Sequence, residues 1–428
     1  MQVINFLAAF ITFLLALPLW IVISECWIAL FAGKKQDDHQ LIQTNLSKAT
    51  VLIPAHNEAA VIAKTLRRLI EQFAISSAEV LSDSENAFSI RDNLEKEDTS
   101  KGYPRIIVVA DNCTDNTAEI ARQFNVTVLE RKDNELRGKG YALDFGIQFL
   151  KNQSEIDVLV VLDADCELKP LAIEKLVHRC LTLDLPVQAI YMMCLPEKAS
   201  FKQRIAGFAW LVKNKIRPLA VSLLNLPVTL TGTGMAFPWH LMNQVNLAHG
   251  HIVEDMQLGI DLTLKGYPPR LCQNAEVFSY FPEQQSAQKT QRTRWEHGHL
   301  MTIIEQVPLL IKQAVIDRNL KFLAMALDVA VPPLALLVLL SLGGIGLLSI
   351  FYAITNWLLP VGLLLVSFVL FALTILVVWW REGRALLSLA DLCAVPIYIA
   401  SKLSVYFSFI SGRQKDWVRT ERDGGGEL

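Results

Sequence analysis

Apolar residues concentrate near the two ends of this chain, and a polar middle with shorter apolar runs separates them. Residues 3–32 are almost wholly apolar and are long enough for one tilted membrane-crossing helix. Towards the other end, residues 323–352 and 357–380 each suffice for a further crossing. The pattern therefore predicts a polar domain with membrane helices before and after it.

The first apolar run has the features of an uncleaved anchor, which we place at residues 1–33. It lacks a positive charge at its start, and its apolar run is too long for a signal peptide. Lys34 and Lys35 follow directly, so the positive-inside rule places this end in the cytoplasm. Glu25 lies within the run, and we interpret it as an interfacial residue near the helix end rather than a functional one.

The second apolar block predicts an interfacial helix at 301–321 and two transmembrane helices within 322–380. Positive charge returns at Arg381 and Arg384, which indicates the cytoplasm. Residues 386–410 are apolar but have basic flanks on both sides. Three residues interrupt that segment: Asp391, Pro396 and Lys402. We expect it to be interfacial or re-entrant, with a third crossing as the alternative, and residues 411–428 to form a cytoplasmic tail.

Between the apolar blocks, the sequence pattern of residues 48–300 predicts alternating strands and helices. Strand-like runs are ATVLIPAHNE, RIIVVADNC, VTVLER and DVLVVLDAD, and helix-like runs are AAVIAKTLRRLI, TAEIARQF and GYALDFGIQFL. This alternation predicts an α/β domain with a mostly parallel sheet covered on both faces. Functional groups are expected at the carboxyl ends of its strands. Residues 77–103 are rich in Ser, Asp, Glu and Asn and predict an exposed insertion.

Composition narrows the class of protein further. A hydrophobic fraction of 52% in 428 residues is unusual for a soluble enzyme, and a net charge of -2 gives no indication of a nucleic-acid partner. The seven cysteines form no CxxC pair and no Cys/His cluster with zinc spacing. Their odd number argues against a disulfide framework, which fits a reducing cytoplasmic face.

Asp163 and Asp165 flank Ala164 at the end of the DVLVV strand. Alternate residues of a strand share one face, so these carboxylates can meet a cation in an open cleft. Mg²⁺ and Mn²⁺ suit such a pair because they prefer oxygen ligands and keep waters and phosphate oxygens in their shell. A D-x-D pattern alone is more often structural, and its place at the tip of an apolar strand is what favours the metal.

Glu254 and Asp255 open the pattern EDMQLGIDLTLKGY, in which apolar residues recur at helical spacing and Gly266 is placed to end the helix. Acidic residues in a first helical turn are favourable electrostatically, which is a purely structural explanation. The functional alternative makes one of them the base that takes a proton from an acceptor hydroxyl.

Gln291-Arg292-Thr293-Arg294-Trp295 stands directly before the second apolar block. An arginine can neutralise a diphosphate, and an indole offers a flat face to a sugar ring. The alternative is a basic and aromatic belt beside a membrane, where both residue types are common.

In this order, P-x-H-N-E at 54–58, Asp111 after a strand, Asp163-x-Asp165, Glu254-Asp255 and Gln291-x-x-Arg294-Trp295 resemble glycosyltransferase family 2. More narrowly, they resemble the membrane synthases of cellulose, chitin, hyaluronan and poly-N-acetylglucosamine. The resemblance covers roughly residues 48–300, and the tail Trp417-Val418-Arg419-Thr420 resembles a cytoplasmic motif of several such synthases. It implies a GT-A-type, Rossmann-like nucleotide-sugar domain flanked by transmembrane helices.

The resemblance also implies roles for individual residues. The nucleotide-sugar would contact Ala55, His56, Glu58, Asp111, Lys139, Asp163 and Arg294. Asp165, with Asp163, would hold Mg²⁺ or Mn²⁺. The acceptor would contact Thr231, Gly232, Thr233, Gln291 and Trp295, and the catalytic base would be Asp255.

The sequence departs from the family pattern in three respects. Ala110-Asp111 replaces a pair of acidic residues, and Val253 stands where cellulose synthases have threonine before the acidic pair. The membrane part is also small, so a polysaccharide channel would need a second membrane subunit or a homo-oligomer. The first departure gives the expected uracil contact a different setting, the second affects the acceptor contacts, and the third affects secretion of a polysaccharide.

The resemblance, with these features, implies an inverting, metal-dependent enzyme that transfers a sugar from a UDP-sugar to a hydroxyl acceptor. The expected product is a β-linked exopolysaccharide made at the cytoplasmic face of a bacterial inner membrane, without a nucleic-acid partner. One alternative is transfer of a single sugar to a lipid acceptor, since ceramide glucosyltransferases share the Gln-x-x-Arg-Trp motif. Another is a non-catalytic membrane scaffold or transporter subunit, which the complete acidic set and the few ionisable residues inside the apolar segments disfavour.

Overall fold

A computed structural model describes residues 2–31, 45–81, 103–153, 155–245, 247–248, 253–282 and 284–411. The chain divides into two compact units. The sheet unit comprises the described residues within Gln36–Cys194 and Val228–Gln291. The helical unit comprises the described residues within Met1–Lys35, Leu195–Pro227 and Arg292–Lys415.

In the part of the chain that the structure describes, eight strands form one sheet, and helices precede, separate and follow them. The strands are β1 (Ala49–Ala55), β2 (Arg105–Asp111), β3 (Thr127–Arg131), β4 (Val158–Val161), β5 (Glu167–Leu168), β6 (Val187–Cys194), β7 (Met235–Pro238) and β8 (Arg270–Tyr280). The first helices are α1 (Gln2–Phe31), α2 (Ile62–Leu81), α3 (Thr117–Ala121), α4 (Lys139–Lys151), α5 (Ala172–Leu183), α6 (Phe201–Leu211) and α7 (Arg217–Leu223). The later helices are α8 (Glu254–Leu264), α9 (Gln285–Ile316), α10 (Leu320–Ala330), α11 (Leu334–Thr355), α12 (Leu359–Val378), α13 (Leu389–Cys393) and α14 (Val395–Ser411).

The sheet is mixed and mostly parallel on one side, as the alternating pattern predicts. Its strand order is β3-β2-β1-β4-β7-β6-β8-β5. Strands β3, β2, β1 and β4 run parallel, whereas β7 runs antiparallel to both β4 and β6. Met235 at the start of β7 pairs with Val161 at the end of β4, so the residues just before β7 lie at the carboxyl edge of the parallel strands.

Continuous apolar runs explain why the parallel strands lie in the interior. Leu52 on β1, Ile107 on β2 and Leu159 on β4 are fully buried in one cluster with residues of α4. Helix α4 packs closely because residue 146 is glycine. An added Cβ there would lie 2.6 Å from Leu52 Cδ1. The sheet core therefore holds the carboxyl ends of these strands at one rigid edge.

In the helical unit, α1 and α12 pack side by side and run parallel. Trp20 Nε1 donates to Ser367 Oγ and Trp27 Nε1 donates to Thr374 Oγ1, both at 3.1 Å. The donors are seven residues apart and so are the acceptors, so the two helices advance in the same direction. The carboxyl ends of α1 and α12 consequently lie on the same side.

Glu25, which we expected to be interfacial from the sequence, is only 8% exposed because it is buried inside the protein. The Arg217 guanidinium forms an ion pair with the Glu25 carboxylate and another, at 2.6 Å, with Asp328 Oδ1. The side chains of Arg217 and Asp328 are 7% and 13% exposed. A distant arginine therefore satisfies the acidic residue of the apolar run, which the local pattern could not indicate.

Helix boundaries in the second apolar block differ from the sequence prediction. The expected crossing at 323–352 is divided between α10 and α11, because Pro332 and Pro333 cannot continue a helix. The expected interfacial helix at 301–321 belongs mostly to α9, which already begins at Gln285.

Within the described residues, four helical segments are long and apolar enough to cross a membrane. They are Gln2–Phe31, Gln288–Ile316, Leu334–Thr355 and Leu359–Gly383, and Val395–Ser411 is a shorter apolar helix. Three expectations fall wholly or mainly outside the described residues: the Lys34-Lys35 pair, most of the insertion at 77–103 and the tail motif at 417–420. The domain limits drawn from the sequence stay predictions.

The buried ion pairs of Arg217 generate a stability prediction. Arg217→Met would leave the Glu25 and Asp328 carboxylates buried without their cation. We expect it to lower the free energy of unfolding by about 3–5 kcal/mol, the usual effect of removing one partner of a buried pair. Thermal unfolding of the purified protein in a single detergent measures the change.

Lys215→Met is the matched control, because Lys215 forms an ion pair with Glu382 at 3.5 Å and both side chains are about one-third exposed. An exposed pair contributes about 0–1 kcal/mol, so this variant should unfold near the wild-type temperature. Equal destabilisation by the two substitutions would contradict the role given to Arg217.

Candidate active site

Four polar segments meet at the carboxyl edge of the parallel strands. His56 and Asn57 follow β1, Asp111 ends β2, and Arg131 ends β3. The acidic pair that includes Asp163 follows β4 after one further residue. The predicted site residues of the sheet unit therefore converge because parallel strands end at the same edge.

Asp111 is 5% exposed and is held from three directions. Arg131 Nη1 donates to Asp111 Oδ1 at 2.7 Å, and Asn112 Nδ2 donates to the same oxygen at 3.1 Å. His56 Nδ1 lies 2.6 Å from the Asp111 carbonyl oxygen and donates to it. The carboxylate expected to contact the nucleobase is therefore fixed in direction before any ligand arrives.

Arg131 was not among the residues predicted from the sequence. Its side chain is 9% exposed, and Nη2 donates to the Leu136 carbonyl at 2.7 Å and to Asp133 Oδ2 at 3.1 Å. The guanidinium also lies 5.6 Å from the centre of the Tyr141 ring. A charged residue ending the VTVLER strand was the available signal for its role.

The turns after β1 and β2 are joined by their asparagines. Asn57 and Asn112 both have positive φ, 56° and 51°, a conformation that asparagine tolerates better than most residues. Asn57 Oδ1 accepts from the Thr114 amide at 2.7 Å, and the Glu58 amide donates to Thr117 Oγ1 at 2.8 Å. Ala55 is buried at the end of β1, so its backbone lies at the base of these two turns.

Asp163 and Asp165 lie in a turn after β4 and not on the strand itself, because β4 ends at Val161. The alternation of side chains along a strand therefore does not set their directions, which corrects the argument made from the sequence. Burial, and then the charges of Asp165 and Asp163, raise the pKa of Tyr191 well above its ordinary value. Both carboxylates consequently lie near this buried phenol.

Lys139, the first residue of α4, links the acidic turn to the loop before β7. Its ammonium forms an ion pair with Asp163 Oδ1 and donates to the Gly232 carbonyl oxygen at 2.8 Å. Burial lowers the pKa of Lys139, but the charges of Asp163, Glu254 and Asp255 outweigh it and leave that pKa above its ordinary value. The side chain is therefore cationic at neutral pH.

Gly232 brings the loop before β7 close to Asp255 at the start of α8. Its φ of +90° favours glycine, and an added Cβ would lie 3.2 Å from Asp255 Oδ2 and 3.5 Å from Lys139 Nζ. Asp255 Oδ1 accepts from the amide of Met256 at 2.8 Å. Helix α8 thus begins where the sequence predicts it, with one carboxylate oxygen directed to the glycine loop.

The two threonines of this loop occupy different positions. Thr233 is fully buried, and its hydroxyl accepts from the Asp163 amide at 3.0 Å. The Thr231 amide donates to Gln188 Oε1 at 2.9 Å, and Gln188 Nε2 donates to the Thr233 carbonyl at the same distance. Gln188, in the apolar run PVQAIY, was missed from the sequence, although a lone amide in an apolar strand is a signal for an internal hydrogen bond.

The remaining predicted residues lie on α9. Gln291 belongs to the sheet unit and is 6% exposed. Arg294 and Trp295 belong to the helical unit, where the Trp295 ring lies 5.0 Å from the Trp210 ring of α6 at an angle of 43°. Trp210 was not predicted, because nothing in its local sequence sets it apart from other membrane-proximal tryptophans.

In the described residues, no group of three or more His, Cys, Asp or Glu side chains forms a ready metal site. The available donors at the edge are the two carboxylates of Asp163 and Asp165. Mg²⁺ and similar ions often bind to one or two carboxylates and complete their shell with water and substrate phosphates. The donor set therefore fits such an ion in the presence of a diphosphate.

Comparison with known proteins shows which family this sequence pattern matches. Residues 50–192 match Glycosyl transferase family 2, and residues 158–381 match Glycosyl transferase family group 2, the latter over more than half of the chain. The probable glycosyltransferase YdaM of Bacillus subtilis is 26% identical over 285 residues, which are 61% of this chain and 57% of that protein. An uncharacterized protein of Methanocaldococcus jannaschii, MJ1222, is 30% identical over 143 residues, which are 33% of this chain and 46% of that one. The chain spans about half the length of the curated relatives it matches.

Among solved structures, the mannosyltransferase PcManGT from Pyrobaculum calidifontis, in complex with GDP-Man and Mn²⁺, has a TM-score of 0.50 and 16% identity. The match covers 92% of this chain and 98% of that one, and it shows the fold. The sheet unit is thus a GT-A-type, Rossmann-like domain, as the resemblance implied. With its acidic motifs gathered at one edge of this sheet, and with family matches over residues 50–192 and 158–381, the chain belongs to glycosyltransferase family 2.

Proposed function

We propose that this glycosyltransferase is inverting and metal-dependent and takes its sugar from a UDP-sugar. The acceptor is a hydroxyl group at the cytoplasmic face of the membrane, and the product is a β-linked exopolysaccharide. The observation that carries the proposal is the position of Lys139. Its ammonium joins Asp163 of the acidic turn to the Gly232 loop, within range of the Asp255 charge.

The nucleotide end of the donor would bind where β1 and β2 end. Ala55, His56 and Glu58 would line this corner, and Asp111 would accept from the N3–H of uracil. Arg131 and Asn112 both donate to Asp111 Oδ1, so they supply the orientation that this contact needs. A carboxylate already fixed by two donors loses little side-chain entropy on binding.

The diphosphate end would lie beside Lys139 and the acidic turn. Asp165, with Asp163, would hold Mg²⁺ or Mn²⁺, whose charge offsets that of the diphosphate when the ion is bound. Lys139 contributes a further fixed positive charge at the start of α4. Arg294 would add another to the departing nucleoside diphosphate.

Asp255 would take the proton of the acceptor hydroxyl while the oxygen attacks the anomeric carbon. Direct attack with such a base gives inversion, so an α-linked donor yields a β-linkage. The Gly232 loop approaches the Asp255 carboxylate, which supports an acceptor site formed by Thr231, Gly232 and Thr233. Gln291 and Trp295 would complete the acceptor contacts.

A lipid-linked acceptor is the second candidate. Trp295 and its neighbour Trp210 belong to the same compact unit as the apolar helices, which favours an acceptor held near the bilayer. The enzyme would then add a single sugar rather than extend a chain. A processive synthase with this small membrane part would work with a second subunit or as a homo-oligomer.

A donor panel tests the proposed function. Membranes containing the protein are incubated with UDP-sugars and with GDP-mannose, each with Mg²⁺ or Mn²⁺, and the products are sized. We expect transfer from one UDP-sugar, and long products if the enzyme is processive. A single added sugar on extracted lipid would select the second candidate.

GDP-mannose is included because the structurally similar mannosyltransferase is complexed with GDP-Man. Transfer from GDP-mannose and from none of the UDP-sugars would contradict the role given to Asp111 as a uracil contact.

The acidic turn generates a prediction about metal dependence. We expect excess chelator to abolish transfer and Asp165→Asn to remove nearly all activity without unfolding the protein. The physical reason is that the diphosphate would then lack its counter-charge. Initial rates with and without Mn²⁺, together with circular dichroism, measure both effects.

Asp184→Asn is the matched control, because Asp184 is an exposed carboxylate of the sheet unit whose side chain is 72% accessible. It should transfer at the wild-type rate. Full activity of the wild-type protein in excess chelator would exclude the metal from the mechanism.

The neighbouring acids at the start of α8 generate a prediction about the base. Successive helical residues point about 100° apart, so only one of Glu254 and Asp255 can face the anomeric carbon. Asp255→Asn should bind UDP normally and lose product formation by about 10²–10⁴-fold. Glu254→Gln should keep measurable turnover, since its proposed effect is electrostatic. Calorimetric UDP titration and product assays on both variants decide between them, and the reverse pattern would assign the base to Glu254.

A further inference from the structure

The residue after Trp295 is tied to a helix more than one hundred positions further along the chain. Glu296 on α9 forms an ion pair with the ammonium of Lys402 on α14. The two side chains are only 16% and 6% exposed. The Tyr398 ring lies 5.6 Å from the same ammonium and adds a favourable cation–π contact.

A second contact joins the next residue of α9 to α14. His297 is 1% exposed, and its Nε2 donates to the Val405 carbonyl oxygen at 2.9 Å. The same ring packs against the Phe409 ring at an angle of 71°, with ring centres 5.2 Å apart. Two consecutive residues of α9 are therefore held by one face of α14.

Joining two helices through a lysine inside an apolar helix carries a large desolvation cost. Removing two charges from water costs several kcal/mol per ion, and apolar side chains of similar volume often stabilise as well or better. What an ion pair adds is a single direction and register, because a mismatched arrangement leaves a buried charge unpaired. The pair is thus better suited to fixing the rotation of α9 than to holding the fold together.

That rotation determines the directions of the two motif residues before Glu296. Helical residues advance by about 100° each. Trp295 therefore points about 100° away from Glu296, to one side of the contact with α14. Arg294 points about 200° away from Glu296, from the opposite face of α9. Trp295 meets Trp210 of α6 on its side. Arg204 of α6 in turn forms a bidentate ion pair with Asp391 of α13, just before α14.

We propose that Lys402 is a positioning residue for sugar transfer, acting through Glu296 to set the direction of Arg294 and Trp295. The inference rests on the proposed function, in which Arg294 receives the diphosphate and Trp295 the acceptor. Lys402 itself touches neither substrate. Its effect is the alignment of α9, and small misalignments of a reacting pair are costly, on the order of 10²-fold in rate for about 1 Å.

The test separates alignment from stability by replacing both charges. In Glu296→Met/Lys402→Met, the apolar pair keeps the volume and the helix contact, so thermal unfolding in detergent should stay close to that of the wild type. We expect hydrogen–deuterium exchange at residues 290–300 to become faster, while exchange in α12 is unchanged. We expect kcat with the donor found active in the panel to fall by about 10²-fold.

Glu382→Gln is the matched control, since it removes the charge from an ion pair of the same unit whose side chains are about one-third exposed. It should change neither exchange at 290–300 nor kcat. If the Met/Met variant does not fold, Glu296→Gln/Lys402→Met provides a second charge-free pair with a polar group on α9.

Wild-type exchange and wild-type kcat in a folded, charge-free variant would overturn the proposal. Altered exchange with unchanged kcat would overturn it as well, because the alignment would then have no bearing on transfer. If the wild-type protein transfers from no nucleotide-sugar, the proposed function fails, and exchange at 290–300 still decides whether the pair aligns α9.

Discussion

The ammonium of Lys139 lies among the acids of two separate motifs and beside the glycine loop before β7, and it links these three segments at the edge of the sheet. It neutralises Asp163 beyond β4, bonds the Gly232 carbonyl before β7, and lies in the field of Glu254 and Asp255. Without a cation here, the carboxylates of the acidic turn after β4 and of the start of α8 would repel one another. The charge that offsets this repulsion also lies where the proposed function places the diphosphate.

The location of this edge could be predicted from local sequence, because apolar runs ending in polar residues imply strand ends. Helix α8 was likewise predictable from its spacing and from Gly266. The partners were not, since Arg131 meets Asp111 and Gln188 meets Thr233 only through the register of neighbouring strands. Register depends on which strands pair, and one sequence without its fold does not state it.

The same distinction explains the polar residues inside the apolar segments. Glu25, Asp391 and Lys402 interrupt apolar segments, and the sequence alone offered an interfacial position as their explanation. Each has a partner of opposite charge on a distant helix: Arg217, Arg204 and Glu296 respectively. An average of hydropathy along a segment shows whether the segment is long enough to cross a membrane. It does not show which distant residue pairs with a charge inside that segment.

The direction of the helices bears on how α9 relates to the membrane. Because α1 and α12 run parallel and α11 precedes α12 by a short connection, the end of α1, the start of α11 and the end of α12 lie on one side. His299 of α9 contacts the Val329 carbonyl at 3.1 Å, close to the start of α11, so that part of α9 lies on this side too. From His299 the chain leaves this side along the rest of α9 and returns along α10 to the start of α11.

The return path is short. Helix α10 has 11 residues, which at about 1.5 Å each is about half of a hydrocarbon core of about 30 Å. A segment that leaves and returns over such a distance does not reach the far side. Gln288–Ile316 is long and apolar enough to cross a membrane, so the interfacial position that the sequence suggested for residues 301–321 stays a prediction, with which this short return is consistent. On that prediction, α9 would keep Arg294 and Trp295 on the side where α1 and α12 end, which the positive-inside rule predicts to be the cytoplasmic side.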